Sequence, residues 1–106
     1  MSEKSIQNAI LRAYATRPDM RLWRQNTGAA RFKGQVVHFG VPGQADITGI
    51  LHDGRRIEIE VKSETGRQSP EQQRYQCMIE RFGGIYILAR SVEDVAAALR
   101  AKGYEV

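Results

Sequence analysis

One cysteine, two histidines and three prolines are all that 106 residues hold of those types, and no apolar run approaches the roughly 20 residues needed to span a bilayer. The lone Cys77 excludes an internal disulfide, fits a reducing compartment and is expected as a small core residue. Two histidines beside one cysteine argue against a zinc centre of the usual composition, and no organic cofactor is expected. Met1-Ser2-Glu3-Lys4 begins no signal peptide, so the expected setting is the cytoplasm, with no membrane partner. Repeats, low-complexity tracts and linkers are also missing. Residues 1–106 therefore read as one domain that buries about 65% of its unfolded surface in a single modest core. Hydrophobic content of 42% and charged content of 26% are ordinary for a globular protein, so the pattern must carry the reading.

Charge is unevenly divided. Residues 1–45 carry seven Lys/Arg against two Asp/Glu, net +5, whereas residues 46–106 carry nine against ten, net −1. The basic excess includes Arg21, Arg24, Arg31 and Lys33 and lies just before the most patterned stretch of the chain. Such an asymmetry suits a polyanion docked on cations beside an acidic site; scattered solvated cations are the plainer alternative.

That patterned stretch is Ile57-Glu58-Ile59-Glu60-Val61-Lys62. Strict alternation predicts a half-buried strand with Ile57, Ile59 and Val61 on one face and Glu58, Glu60 and Lys62 on the other. Asp46 to Leu51 reads as a second strand, and His52-Asp53-Gly54-Arg55 carries a hairpin signal between them. Register then decides the chemistry. A two-residue Asp53-Gly54 turn would set Asp46 opposite Val61 and drive its carboxylate into the apolar layer. A three-residue loop from His52 to Gly54, with Gly54 in the left-handed conformation, pairs Leu51 with Arg55 and Asp46 with Glu60. We predict the second register, which puts Ile47, Leu51, Ile57, Ile59 and Val61 on one face and Asp46, Thr48, Glu58, Glu60 and Lys62 on the other.

Two carboxylates across a strand pair repel unless a positive charge lies between them. A hard divalent cation, Mg²⁺ or Mn²⁺, fits, held by Asp46 and Glu60 with the Val61 carbonyl completing the site. Lys62, on the same face, would orient or deprotonate a water attacking phosphorus. The plainer reading makes Glu58, Glu60 and Lys62 merely the solvated face of a strand.

These residues resemble the PD-(D/E)xK nuclease superfamily through Asp46 and Glu60-Val61-Lys62. Three further segments, Trp23-Arg24-Gln25-Asn26-Thr27-Gly28, Phe39 to Asp46, and Ser69-Pro70-Glu71-Gln72 followed by Gly83-Gly84, are similar to the virus-type replication-repair nuclease (VRR-NUC) domain, in order over nearly the whole chain. The resemblance implies a restriction-endonuclease-like α/β fold and a Mg²⁺- or Mn²⁺-dependent endonuclease acting on DNA. It implies an early helix bringing Glu3 near the metal, and Gln72 at the active site orienting phosphate or water, with Tyr75 a turn further along. It also implies a homodimer selective for branched DNA such as four-way (Holliday) junctions. A flap- or sequence-selective nuclease, and a non-catalytic nucleic-acid-binding module, are the alternatives.

The remaining elements follow from periodicity and capping. Ser2 to Thr16 reads as a helix with an Ile6, Ala9, Ile10, Ala13, Tyr14 stripe, in which Glu3 also suits the first turn on dipole grounds. Met20 to Gln25 is a strand with Trp23 expected in the core, entering a turn at Asn26-Thr27-Gly28. From Ala29 to Phe39 a basic and aromatic hairpin around Lys33-Gly34 is expected to contact DNA through Arg31 and Lys33, with a dimer interface the other physical use. Gly43 would let backbone approach a phosphate, and Gln44 would donate to it. Ser69, Pro70 and Gln72 form a capping box that opens a helix with a Tyr75, Met78, Ile79, Phe82 stripe ending at Gly83-Gly84. Ile85 to Ala89 reads as a buried strand parallel to a neighbour, and Ser91 to Lys102 as a last helix with Val92, Val95, Ala96 and Leu99 inward. Together these predict an α/β protein with a mixed sheet flanked by helices on both faces.

Overall fold

In the computed structural model every residue but Thr27 is described, with positions 28 and 39 described by their backbone alone. The chain runs α1 (Glu3–Tyr14), β1 (Met20–Arg24), β2 (Gly28–Phe32), β3 (Gln35–Phe39), β4 (Ile47–Leu51), β5 (Arg56–Val61), α2 (Pro70–Arg81), β6 (Ile85–Ala89) and α3 (Val92–Ala101). Four strands form a mixed sheet in the order β1-β4-β5-β6, and β2 with β3 form a separate two-stranded ribbon.

Each helix begins where a side chain can satisfy its orphan amides. The hydroxyls of Ser2, Ser69 and Ser91 accept from the N–H groups of Ser5, Gln72 and Asp94. At Ser69 the reciprocal half of the capping box is present, the Gln72 side chain accepting from the Ser69 N–H at 2.9 Å.

The β4–β5 register is the predicted one: Ile47 faces Ile59, Thr48 faces Glu58 and Ile50 faces Arg56, which continues to Asp46 opposite Glu60. Gly54 sits at φ +89°, and the Leu51 N–H donates to the Arg55 carbonyl at 2.9 Å, closing the three-residue loop. β6 joins the other edge of β5 in parallel, Glu58 beside Tyr86 and Glu60 beside Leu88. A parallel neighbour requires a crossover, and α2 supplies it.

One face of this sheet carries the main core. Ile47, Leu51, Ile57, Ile59, Val61, Ile85, Ile87 and Ala89 meet Ile6, Ile10 and Tyr14 of α1 and Val95, Ala96 and Leu99 of α3. Among the described residues α2 is the helix on the opposite face, packed through a smaller cluster of Tyr75, Ile79, Tyr86 and Ala45. The sheet thus has helices on both faces, but unequally.

Several inward assignments are corrected by that inequality. Trp23 is 50% exposed, because its register partner Thr48 places it on the α2 face, over strands that α2 does not reach. Met78 and Phe82 extend past the smaller cluster into solvent, Phe82 at 77% exposure, since a helix over only two strands has no partner for a wide stripe. Ala13 and Cys77 are exposed on the outer surfaces of α1 and α2. The ribbon turns at Lys33 (φ +49°) and Gly34 (φ +76°), as the hairpin reading requires, while the predicted turn at Asn26-Thr27-Gly28 includes Thr27, outside the described residues.

Candidate metal and phosphodiester site

The alternating strand puts Glu58, Glu60 and Lys62 on the α2 face, and α2 closes over the first two. Glu58 is wholly buried and Glu60 nearly so. That burial removes the reading of these acids as a solvated strand face. Burying a carboxylate is costly unless it is paired and hydrogen-bonded, so each partner in the layer has to be accounted for.

Glu60 is only partly satisfied. Its Oε2 accepts from Gln72 Nε2 at 2.9 Å and lies 3.5 Å from Lys62 Nζ. Its Oε1 is buried and has no hydrogen-bond partner among the described residues. Burial, and then the neighbouring Asp46 charge, push the Glu60 carboxyl up to about 7, against a smaller downward pull from Lys62. Asp46, the residue before β4, aims its carboxylate at the same place and accepts the Val61 N–H at 2.8 Å. Burial raises its pKa above the usual carboxylate range, the Val61 N–H opposes that, and the Glu3 charge adds to it. A buried acid and a part-buried one crowd one another here, and one oxygen of the pair is left over.

Glu3 comes to the rim of this pair. Its Oε2 accepts the Ser63 N–H at 3.2 Å, and its charge is felt by both Asp46 and Glu60. It does not complete a three-acid cluster: among the described residues no three His, Cys, Asp or Glu side chains converge as a metal-binding group. Two carboxylates with a backbone carbonyl are nonetheless the donor set a hard divalent cation takes when phosphate and water supply the rest. The orphaned Glu60 Oε1 beside Asp46 fits such an ion.

Gln72 makes the predicted capping box and also reaches the acid pair. Its Oε1 closes the capping box on Ser69, and its Nε2 holds Glu60, so the helix terminus and the acid are built from one amide. Lys62 is part-buried and stands at the same carboxylate.

The predicted DNA contacts divide. Arg31 and Lys33 are exposed on the ribbon. Arg24 is exposed but leans on α1, donating to Gln7 and Asn8. Gln44 is turned inward, accepting from the Val41 N–H and donating to the Asn26 carbonyl, and Tyr75 is buried with its hydroxyl on Glu58. Those two hold the protein rather than present groups to a ligand. Gly43 does permit a close approach, but to α2: a Cβ there would lie 2.3 Å from the Glu71 carbonyl oxygen, at φ +77°.

The sequence reading missed the surroundings of Glu58. Thr48, Gln25, Tyr75 and Arg56 all donate to its carboxylate, drawing together β4, the end of β1, α2 and β5. Its alternation with Glu60 was the available signal, since any helix packed on that face must bury both. Arg90 was also missed; its guanidinium reaches the Ser63 and Gly66 carbonyls and holds the loop that follows Lys62.

No family model matches the chain, and no curated protein does.

Proposed function

We propose that the protein is a metal-dependent endonuclease hydrolysing phosphodiester bonds in DNA, a cytoplasmic VRR-NUC-like domain of restriction-endonuclease-like fold. The observation that carries this is the unpartnered, buried Glu60 Oε1 next to Asp46, with Lys62 Nζ at the other Glu60 oxygen. An acid pair with a leftover oxygen is a poor stability device and a good seat for Mg²⁺ or Mn²⁺.

Asp46, Glu60 and the Val61 carbonyl would hold the ion. Bound there, it would supply a Lewis acid that polarises the phosphate and offsets charge on the leaving oxygen. Lys62 would orient the attacking water, whose oxygen bonds to phosphorus as the bond from phosphorus to the departing sugar oxygen breaks, the water's proton passing to solvent and the departing oxygen taking one from it. Gln72 keeps Glu60 in place through Nε2 while the helix cap keeps Gln72 in place. Arg31 and Lys33 on the ribbon dock neighbouring phosphates without reading bases.

A homodimer cutting branched DNA follows from the family resemblance and has support on the surface. Trp23 and Ile50 lie exposed on the half of the sheet face that α2 leaves bare, and Val41, Met78 and Phe82 are exposed around a neighbouring groove, with Arg56 lining both. Exposed apolar side chains of this kind suit an interaction site, and two copies would pair two active sites for symmetric cuts.

The test is cleavage of labelled four-way junction, flap and linear duplex with Mg²⁺, Mn²⁺ or EDTA. Metal-dependent scission that is abolished in Asp46→Asn and Lys62→Ala, both folded by circular dichroism, is the expected result. Full activity in either variant discards the mechanism. Binding without metal-dependent scission favours a non-catalytic module, and preference for flaps or one sequence replaces the junction assignment.

A further inference from the structure

Glu58 is wholly buried, and two of the four side chains it holds, Gln25 and Tyr75, lead to the metal pair. On one side Gln25 Nε2 donates to Glu58 at 2.7 Å and to the Ala45 carbonyl at 3.1 Å, while the Gln25 N–H donates to the Asp46 carbonyl at 2.9 Å. Gln25 therefore clamps the peptide units on both sides of Asp46. On the other side the Tyr75 hydroxyl donates to the same Glu58 oxygen, and Tyr75 lies one helical turn beyond Gln72, whose amide holds Glu60. Thr48 and Arg56, from β4 and β5, complete the set on the second oxygen.

We infer that Glu58 is a positioning residue for the metal pair: by holding Gln25 and Tyr75 it fixes Asp46 and Gln72, and through Gln72 it fixes Glu60, so that both carboxylates meet one ion. This rests on the metal-site reading above. The physical reason is that Asp46 precedes its strand and Gln72 opens a helix, so neither is held by regular pairing where precision is needed. A carboxylate with two acceptor oxygens can bind four donors from four elements, which no apolar residue or single amide can do. Partners of this kind, which orient ligands without touching the ion, change metal affinity by about 10–100-fold when removed.

The experiment titrates Mn²⁺ into the purified wild-type chain and the Glu58→Gln, Tyr75→Phe and Asp46→Asn variants, with thermal melting of each in EDTA. Glu58→Gln is expected to weaken Mn²⁺ binding about tenfold or more at a temperature where it is folded. Tyr75→Phe, which keeps the ring packing and covers the case in which Glu58→Gln does not fold, is expected to weaken it by a smaller factor. A fourth variant combining Glu58→Gln with Tyr75→Phe is expected to bind no more weakly than Glu58→Gln alone, because the tyrosine acts through the acid. Melting temperatures that fall while Mn²⁺ affinity stays at the wild-type value would overturn the inference and leave Glu58 a structural residue only. A wild-type chain that binds no Mn²⁺, or an Asp46→Asn variant that binds it as well as wild type, overturns the metal site itself.

Discussion

At the scale of single residues, Glu60 sets the behaviour of the site. Burial first and the Asp46 charge second lift its carboxyl from the ordinary 4.5 to about 7, so the folded chain keeps a proton that the unfolded chain has released. Between those two values the native state binds more protons than the denatured one. Stability is therefore greatest below the window and declines as pH rises through about 7. Asp46 is raised too and acts in the same direction. Melts in EDTA from pH 5 to 8 should show this decline, Glu60→Gln should flatten it, and Mg²⁺ should raise the melting temperature more at pH 8 than at pH 5. A flat wild-type profile would mean that the acid is solvated or paired as a carboxylate. The alternation of the strand placed Glu60 on the right face; that it would be buried was written elsewhere, in the helix that lands on it.

At the scale of elements, α2 couples a helix cap to the site through Gln72. Ser69→Ala removes the hydroxyl half of the box and should cost about 1 kcal/mol in urea unfolding while leaving Mn²⁺ affinity near wild type. Gln72→Ala should cost a similar amount and also weaken Mn²⁺ binding. Equal Mn²⁺ affinities in the two variants would reduce Gln72 to a cap. The ribbon β2–β3 is exposed along its described side chains, and an isolated two-stranded hairpin is at best marginally stable. Its use is therefore sought outside the protomer. Reversing Arg31 and Lys33 to Glu should leave the melting temperature nearly unchanged, weaken DNA binding, and lower the slope of log affinity against log salt by about 2. An unaltered slope would take the ribbon out of the DNA interface. Capping signals, hairpin turns and strand alternation are local chemistry, which is why each of these elements was legible within a residue or two. The exposed Trp23 and Phe82 were not legible, because an apolar side chain in a strand or helix does not reveal whether an opposing layer exists.

For the whole molecule, the decisive feature is the lopsided sheet, thick with α1 and α3 on one face and half covered by α2 on the other. Among the described residues no helix is long and apolar enough to cross a membrane. A dimer joined at the bare half of the sheet should sediment at twice the chain mass, and Ile50→Asp, which puts a charge on an already 47% exposed position, should return it to monomer with its melting temperature little altered. A wild-type chain that sediments as a monomer at micromolar concentration would withdraw the symmetric two-cut geometry and leave the proposed single site standing.

By itself the sequence determined the strand faces, the three-residue loop that sets Asp46 against Glu60, and the helix boundaries, since each depends on side-chain alternation, backbone φ or a cap within a few residues. Only the tertiary structure decided which acids lose their water, that Glu58 rather than solvent ties four elements together, and that one side of the sheet goes half uncovered. Those outcomes depend on where α2 packs against strands far away in the chain, and desolvation, unlike alternation, is a property of the layer above a residue and not of its neighbours in line.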